Sequence, residues 1–119
     1  MKHRFQRTTV TGLLTALLTT AAMGQVLAPG DPAPPILAKD LTGRTWRAQW
    51  ADHELTIVNF WATWCDPCVK EMPALQDLQD RLRDRGLLVV GVLARDAVSD
   101  RDAHKFVEDL GVTYPTIRG

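Results

Sequence analysis

The stretch Thr56-Ile57-Val58-Asn59-Phe60-Trp61-Ala62-Thr63-Trp64-Cys65-Asp66-Pro67-Cys68 decides how this chain is read. Thr56–Trp61 is β-branched and aromatic, nearly continuous in hydrophobicity and bounded by polar residues, which predicts a central strand covered on both faces. From Asp66 the apolar residues recur at helical spacing, so Cys65 and Cys68 fall at a strand-to-helix junction. The first sulfur then sits at a helix N-terminus, where aligned peptide dipoles and free N–H groups stabilise a thiolate. A thiolate with a second thiol one turn away attacks a disulfide and is then released by its neighbour. The pair reads first as a redox dithiol.

Three other readings stand beside that one. Two buried structural cysteines need neither this spacing nor flanking tryptophans. A zinc half-site needs two further ligands, but the chain has no third cysteine, and His3, His53 and His104 are scattered along it. A purely structural disulfide belongs in an oxidising compartment, yet so small a loop contributes little through chain entropy.

The 119 residues suit one domain. Lys and Arg number 14 and Asp and Glu number 14, so nothing points to a nucleic-acid or polyanion partner. The balance hides an asymmetry, because Lys2, Arg4 and Arg7 are the only formal charges before Asp31. This basic start leads into an apolar run, Val10–Ala22, softened by threonines and followed by small residues at Ala22 and Gly24. The pattern predicts a signal peptide over residues 1–24 with cleavage before Gln25, or an uncleaved signal anchor. The run is short for a spanning helix, which needs about 20 residues. Outside the cytoplasm disulfides are the resting state of thiols, so a working dithiol there needs a partner that supplies electrons or oxidising power.

Beyond residue 25 the chain alternates strands and helices. Pro29–Pro35 predicts a stiff extended lead-in. Ile36–Ala38 and Arg44–Trp50 flank the turn-forming Asp40-Leu41-Thr42-Gly43 and predict a short hairpin, with Trp46 and Trp50 as sheet-packing aromatics. Asp52-His53-Glu54 reads as a solvated turn. A helix is expected from Asp66 to Arg85, with Val69, Met72, Leu75, Leu78 and Leu82 on its apolar face and Lys70, Gln76, Asp77, Asp80, Arg81 and Asp84 opposite. Pro73 removes one backbone donor and should kink it, and Gly86 is placed to end it. Leu87–Leu93 is a second buried strand, parallel to the first. Ser99 and Asp102 cap a helix over Asp100–Leu110 that Gly111 stops, with Ala103, Phe106, Val107 and Leu110 as its buried stripe. Val112–Ile117 begins another extended segment.

The run Asn59–Cys68, followed by Glu71, Pro73 and Leu75, resembles the TlpA/ResA-like thiol–disulfide oxidoreductases of the thioredoxin superfamily. Gly30-Asp31-Pro32-Ala33-Pro34 is similar to that family's lead-in, and Gly111-Val112-Thr113-Tyr114-Pro115 to the end of its extra helix. The resemblance implies an α/β, thioredoxin-like fold and an exported, often membrane-tethered protein of the periplasm or the outer face of the cytoplasmic membrane. Its implied work is the reduction of protein disulfides, for example in cytochrome c maturation, with a membrane thiol-reducing donor as the source of electrons and with neither metal nor other cofactor. Carried over by position, Cys65 is the nucleophile, Cys68 the resolving thiol, Glu71 the acidic residue near the redox pair, and Trp64 the flanking aromatic.

The family continues past its Tyr-Pro segment into a strand bearing a cis-proline, a hairpin partner and a last helix. Pro115 follows the extra-helix signature, so it is read as an earlier proline. The expectation is therefore a partial fold over residues 25–119, with the N-terminal hairpin, βαβ core and inserted helix present and the domain incomplete at its C-terminus. Such a sheet exposes an unpaired edge. Asp66 and Pro67 lie between the cysteines and tune the pair. The Asp66 carboxylate opposes the helix dipole and favours the disulfide form, which makes the protein a reductant, with Lys70 partly cancelling the effect. Glu71 reads either as a proton acceptor for Cys68 or as a solvated helix carboxylate. An inactive truncated fragment, or a metal- or haem-handling thiol module without turnover, stays open beside the oxidoreductase.

Overall fold

A computed structural model describes residues 26–47 and 50–119. The expected signal segment, residues 1–24, lies outside them. Val26–Asp31 belong to a separate unit, in which the Ala28 N–H donates to Asp31 Oδ2 at 2.7 Å. Pro32–Gly119 form the second unit.

The second unit opens with an antiparallel hairpin, β1 (Leu37–Lys39) and β2 (Thr45–Arg47), in which Ala38 faces Trp46. Asp40 makes the turn. Its Oδ1 accepts from the N–H of Thr42 and of Arg44 and from the Thr42 hydroxyl, as short side chains do at such turns. Burial pushes its carboxyl up more than any single bond pulls it down, but these bonds, Thr42's foremost, together hold it below the usual carboxylate range. Trp50 leaves the hairpin. It starts a 3-10 turn, Trp50–Asp52, and its indole N–H donates to Pro34 O at 2.8 Å, so it braces the lead-in and does not extend the strand.

A three-stranded sheet follows in the order β3 (Leu55–Trp61), β4 (Leu87–Leu93), β5 (Thr116–Arg118), all parallel. The expectation that Thr56–Trp61 is the central strand fails here. β4 takes the centre and is buried almost throughout, while β3 is an edge among the described residues, with Leu55 59% and Phe60 64% exposed. An unbroken apolar run cannot tell an edge strand from a central one, because it does not show which partner pairs with it.

Helix α1 (Asp66–Leu82) joins β3 to β4, and α2 (Asp100–Asp109) joins β4 to β5. Met72 and Leu75 of α1 and Ala103 and Val107 of α2 pack with Trp61, Val89 and Leu93 into one core on one sheet face. On the other face Val90, Val92 and Ile117 meet Ile36, Ala38 and Trp46 of the hairpin segment. α1 runs through Pro73 and ends in a 3-10 turn, Arg83–Arg85. Gly86 then takes φ +89°, and a Cβ there would lie 2.7 Å from Glu54 Cγ, so the turn into β4 needs glycine.

One glutamine expected to face solvent turns inward, and a second that had no assigned face joins it. Gln76, placed on the polar face of α1, is buried. Its Oε1 accepts from the N–H of Thr113 at 2.7 Å and of Tyr114 at 3.2 Å. Gln79 is also buried. Its Nε2 donates to Leu87 O and its Oε1 accepts from Val89 N–H. β5 pairs only with Gly91–Leu93, so this amide supplies the ladder partners that the first half of β4 would otherwise lack.

α2 matches its expected start. The Asp102 N–H donates to Ser99 Oγ at 3.1 Å, and the Ser99 hydroxyl donates to Asp102 Oδ2 at 2.7 Å. That hydrogen bond leads the interactions that hold the Asp102 carboxyl below its ordinary value. The Tyr114–Pro115 peptide is trans.

Candidate active site

β3 ends at Trp61, and α1 begins five residues later, at Asp66. The intervening loop turns sharply, with the Cys65 N–H donating to Ala62 O at 3.0 Å. Cys65 caps α1, and its carbonyl accepts the first helical bond, from Val69 N–H at 3.0 Å. Pro67 occupies the first turn, where its missing N–H has no helical partner to lose.

Cys65 and Cys68 are joined as a disulfide, with their Cα atoms 5.3 Å apart. Both are half-buried, and Cys68 packs against the helix-side core. Cys65 is the N-cap residue of α1, and in the disulfide its side chain accepts no capping hydrogen bond; the unpaired N–H groups of a first helical turn favour a thiolate formed at that position. Among the described residues no cluster of three His, Cys, Asp or Glu stands where it could hold a metal.

The neighbours named from the sequence divide. Trp64 flanks the pair and is 66% exposed, its indole N–H donating to Arg95 O at 3.2 Å. Asp66 and Pro67 are exposed between the sulfurs, and Lys70 is exposed beyond them. Glu71, one turn past Cys68, is exposed, which is the solvated alternative. It still bears on the core, since burial pushes the Tyr114 phenol up and the Glu71 carboxylate adds to that push. Asn59 Nδ2, Trp61 Nε1 and Tyr114 OH are buried without a hydrogen-bond partner. Beside the disulfide lies an apolar groove of about 190 Å³, lined by Phe60, Trp61, Trp64 and both cysteines, with Arg95 at its rim.

Sequence reading passed over Thr63 and Asp96. Asp96 Oδ2 accepts from both the N–H and the hydroxyl of Thr63, each at 2.7 Å, and Oδ1 accepts from Val98 N–H at 3.0 Å. The Val98 bond first, then those from Thr63, hold its carboxyl below the ordinary range. One signal was available, since Asp96 lies just beyond the carboxyl end of β4, the side of a parallel sheet where sites assemble.

A parallel sheet, a helix capped by the first of two cysteines, and a second cysteine one turn on together define a thioredoxin-like redox domain. The chain belongs to the AhpC/TSA family, whose model matches residues 29–118. It is 30% identical over 112 residues to the thiol-disulfide oxidoreductase ResA of Geobacillus thermodenitrificans, a match covering 85% of this chain and 63% of that protein. Its fold is similar to the crystal structure of a thioredoxin-family thiol:disulfide interchange protein from Chlorobium tepidum, with TM-score 0.67 and 26% identity over 79% of this chain and 63% of that one. It is also similar to a secreted thiol-disulfide isomerase from Corynebacterium glutamicum, with TM-score 0.63 and 31% identity over 71% of this chain and 53% of that one. The chain thus spans from about half to under two thirds of the length of these proteins.

Proposed function

We propose that this chain is an exported thiol–disulfide oxidoreductase that reduces protein disulfides through Cys65 and Cys68. The observation that carries the reading is the Cys65–Cys68 disulfide at the N-terminus of α1 in a thioredoxin-like fold. In the reduced protein the Cys65 thiolate attacks one sulfur of a substrate disulfide, and the other substrate sulfur leaves and takes up a proton. Cys68 then loses its proton and attacks the Cys65 sulfur of the mixed disulfide, releasing the second substrate thiol. Two electrons have passed to the substrate, and the protein is left as its Cys65–Cys68 disulfide. A dithiol donor must return those electrons, and outside the cytoplasm a membrane thiol-reducing protein fits that need.

Each neighbour has an assigned part. Trp64 covers one side of the pair, Pro67 shapes the first turn of α1, and Asp66 biases the pair toward its disulfide. Glu71, exposed one turn past Cys68, is a solvated helix carboxylate, and the proton that Cys68 gives up during resolution passes to water. The apolar groove accepts an apolar stretch of the substrate polypeptide, and apocytochrome c is one such substrate. Export rests on the basic, then apolar N-terminal pattern of residues 1–24 and on the likeness to a secreted isomerase. Residues 25–119 are then the working domain.

Insulin reduction with dithiothreitol as donor tests the reading. The wild-type chain should accelerate precipitation of the insulin B chain, and Cys65→Ala should return it to the uncatalysed rate. Full activity in Cys65→Ala would overturn the assignment of the nucleophile.

A further inference from the structure

The loop between β3 and α1 leaves the sheet at Trp61, whose carbonyl accepts the last ladder bond, from Ala94 N–H at 3.0 Å. Beyond that point two links tie it to the loop after β4 among the described residues. One is the Trp64 indole on Arg95 O, and the other is the Asp96 carboxylate on Thr63. We propose that Asp96 is a positioning residue of the dithiol, pinning through Thr63 the loop that delivers Cys65 to α1 and fixing a negative charge beside it. The inference rests on the reading of the pair as an exchange dithiol.

Asp96 is itself held from behind. Arg118 of β5 donates through Nη1 to Asp96 O at 2.8 Å, through Nη2 to Val98 O, and through Nε to Asp100 Oδ1 at 2.7 Å. The guanidinium thus grips the backbone of the loop and the first residue of α2, and leaves the Asp96 carboxylate for Thr63. Arg95 takes φ +54°, a left-handed conformation that non-glycine residues adopt at a cost and that persists where the surroundings over-determine it. Here the Trp64 indole and the Asp96 carboxylate hold the residues on either side of that peptide. Such a clamp does two things for Cys65. It removes freedom from the loop that places the sulfur, and it fixes an ionised carboxylate on Thr63, two residues before Cys65, a charge that disfavours a thiolate there and favours the disulfide. The other charged groups of this corner are Arg95, Asp66 and Lys70 on the cysteine side and Arg118 and Asp100 on the far side.

The test measures two properties of the full chain: the pH midpoint of Cys65 alkylation by iodoacetamide, and the equilibrium with a glutathione buffer. Asp96→Asn keeps the shape and removes the charge. It should lower the alkylation midpoint by roughly half a pH unit or more and shift the glutathione equilibrium several-fold toward the dithiol form. Thr63→Val should slow resolution of a Cys65–glutathione mixed disulfide several-fold, while Thr63→Ser, which keeps the hydroxyl, should retain the wild-type rate. If Asp96→Asn unfolds at the wild-type urea concentration with both its midpoint and its equilibrium unchanged, the role is overturned. Should that variant not fold, equal resolution rates in Thr63→Val and Thr63→Ser overturn it instead. A wild-type chain that does not exchange with glutathione at all would refute the redox reading, a result separate from any behaviour of the variants.

Discussion

Cys65 sits at the N-cap of α1, where the helix dipole favours a thiolate, whereas Cys68 lies one turn inside and packs on the core. That difference suits attack by the first and resolution by the second. Asp66 stands between them, exposed, in the first turn of α1. There it complements the helix dipole in every redox state but opposes a thiolate at Cys65. Asp66→Asn should therefore lower the pH midpoint of Cys65 alkylation and make the protein a weaker reductant, as read by its glutathione equilibrium. An unchanged equilibrium would remove Asp66 from the account. The cysteines and Asp66 were legible because their spacing alone carries the chemistry. Thr63 and Asp96 lie 33 positions apart, and local pattern cannot show that one accepts from the other.

At the scale of elements, the hairpin, the two parallel connections and both helix starts follow from turn residues, capping residues and hydrophobic period. What the sequence hid is lateral. The apolar run of β3 reads as central, but its place at an edge depends on which strands pair beside it. Gln76 reads as polar surface and Gln79 carries no signal of burial, yet each buries an amide that satisfies backbone groups of another segment. Gln79→Ala would leave Leu87 O and Val89 N–H buried without those partners. The expected loss is about 2–4 kcal/mol, since an unsatisfied buried backbone group costs roughly 1–3 kcal/mol. Urea unfolding measures it, and a loss within experimental error would mean that the two groups find other partners.

Among the described residues, depressed carboxyls mark three separate places: Asp40 in the hairpin turn, Asp96 behind the cysteine loop and Asp102 at the start of α2. Each has a folded-state pKa below its unfolded value, so its contribution to stability is complete above the unfolded value of about 4 and is lost as pH falls through the folded value. The urea midpoint should be level from pH 7 to about pH 5 and fall below about pH 4. A midpoint that rose on acidification would contradict the sign. The same corner of the fold that gathers Asp96, Thr63 and Arg118 carries the disulfide, and the central claim is that exchange passes through Cys65. Its most direct test is to expose reduced Cys68→Ala protein to a disulfide-containing polypeptide and map the product by mass spectrometry after proteolysis. The account predicts a stable mixed disulfide on Cys65, absent from wild-type protein, in which Cys68 resolves it. No adduct on Cys65, or an equal yield with Cys68 intact, would contradict it.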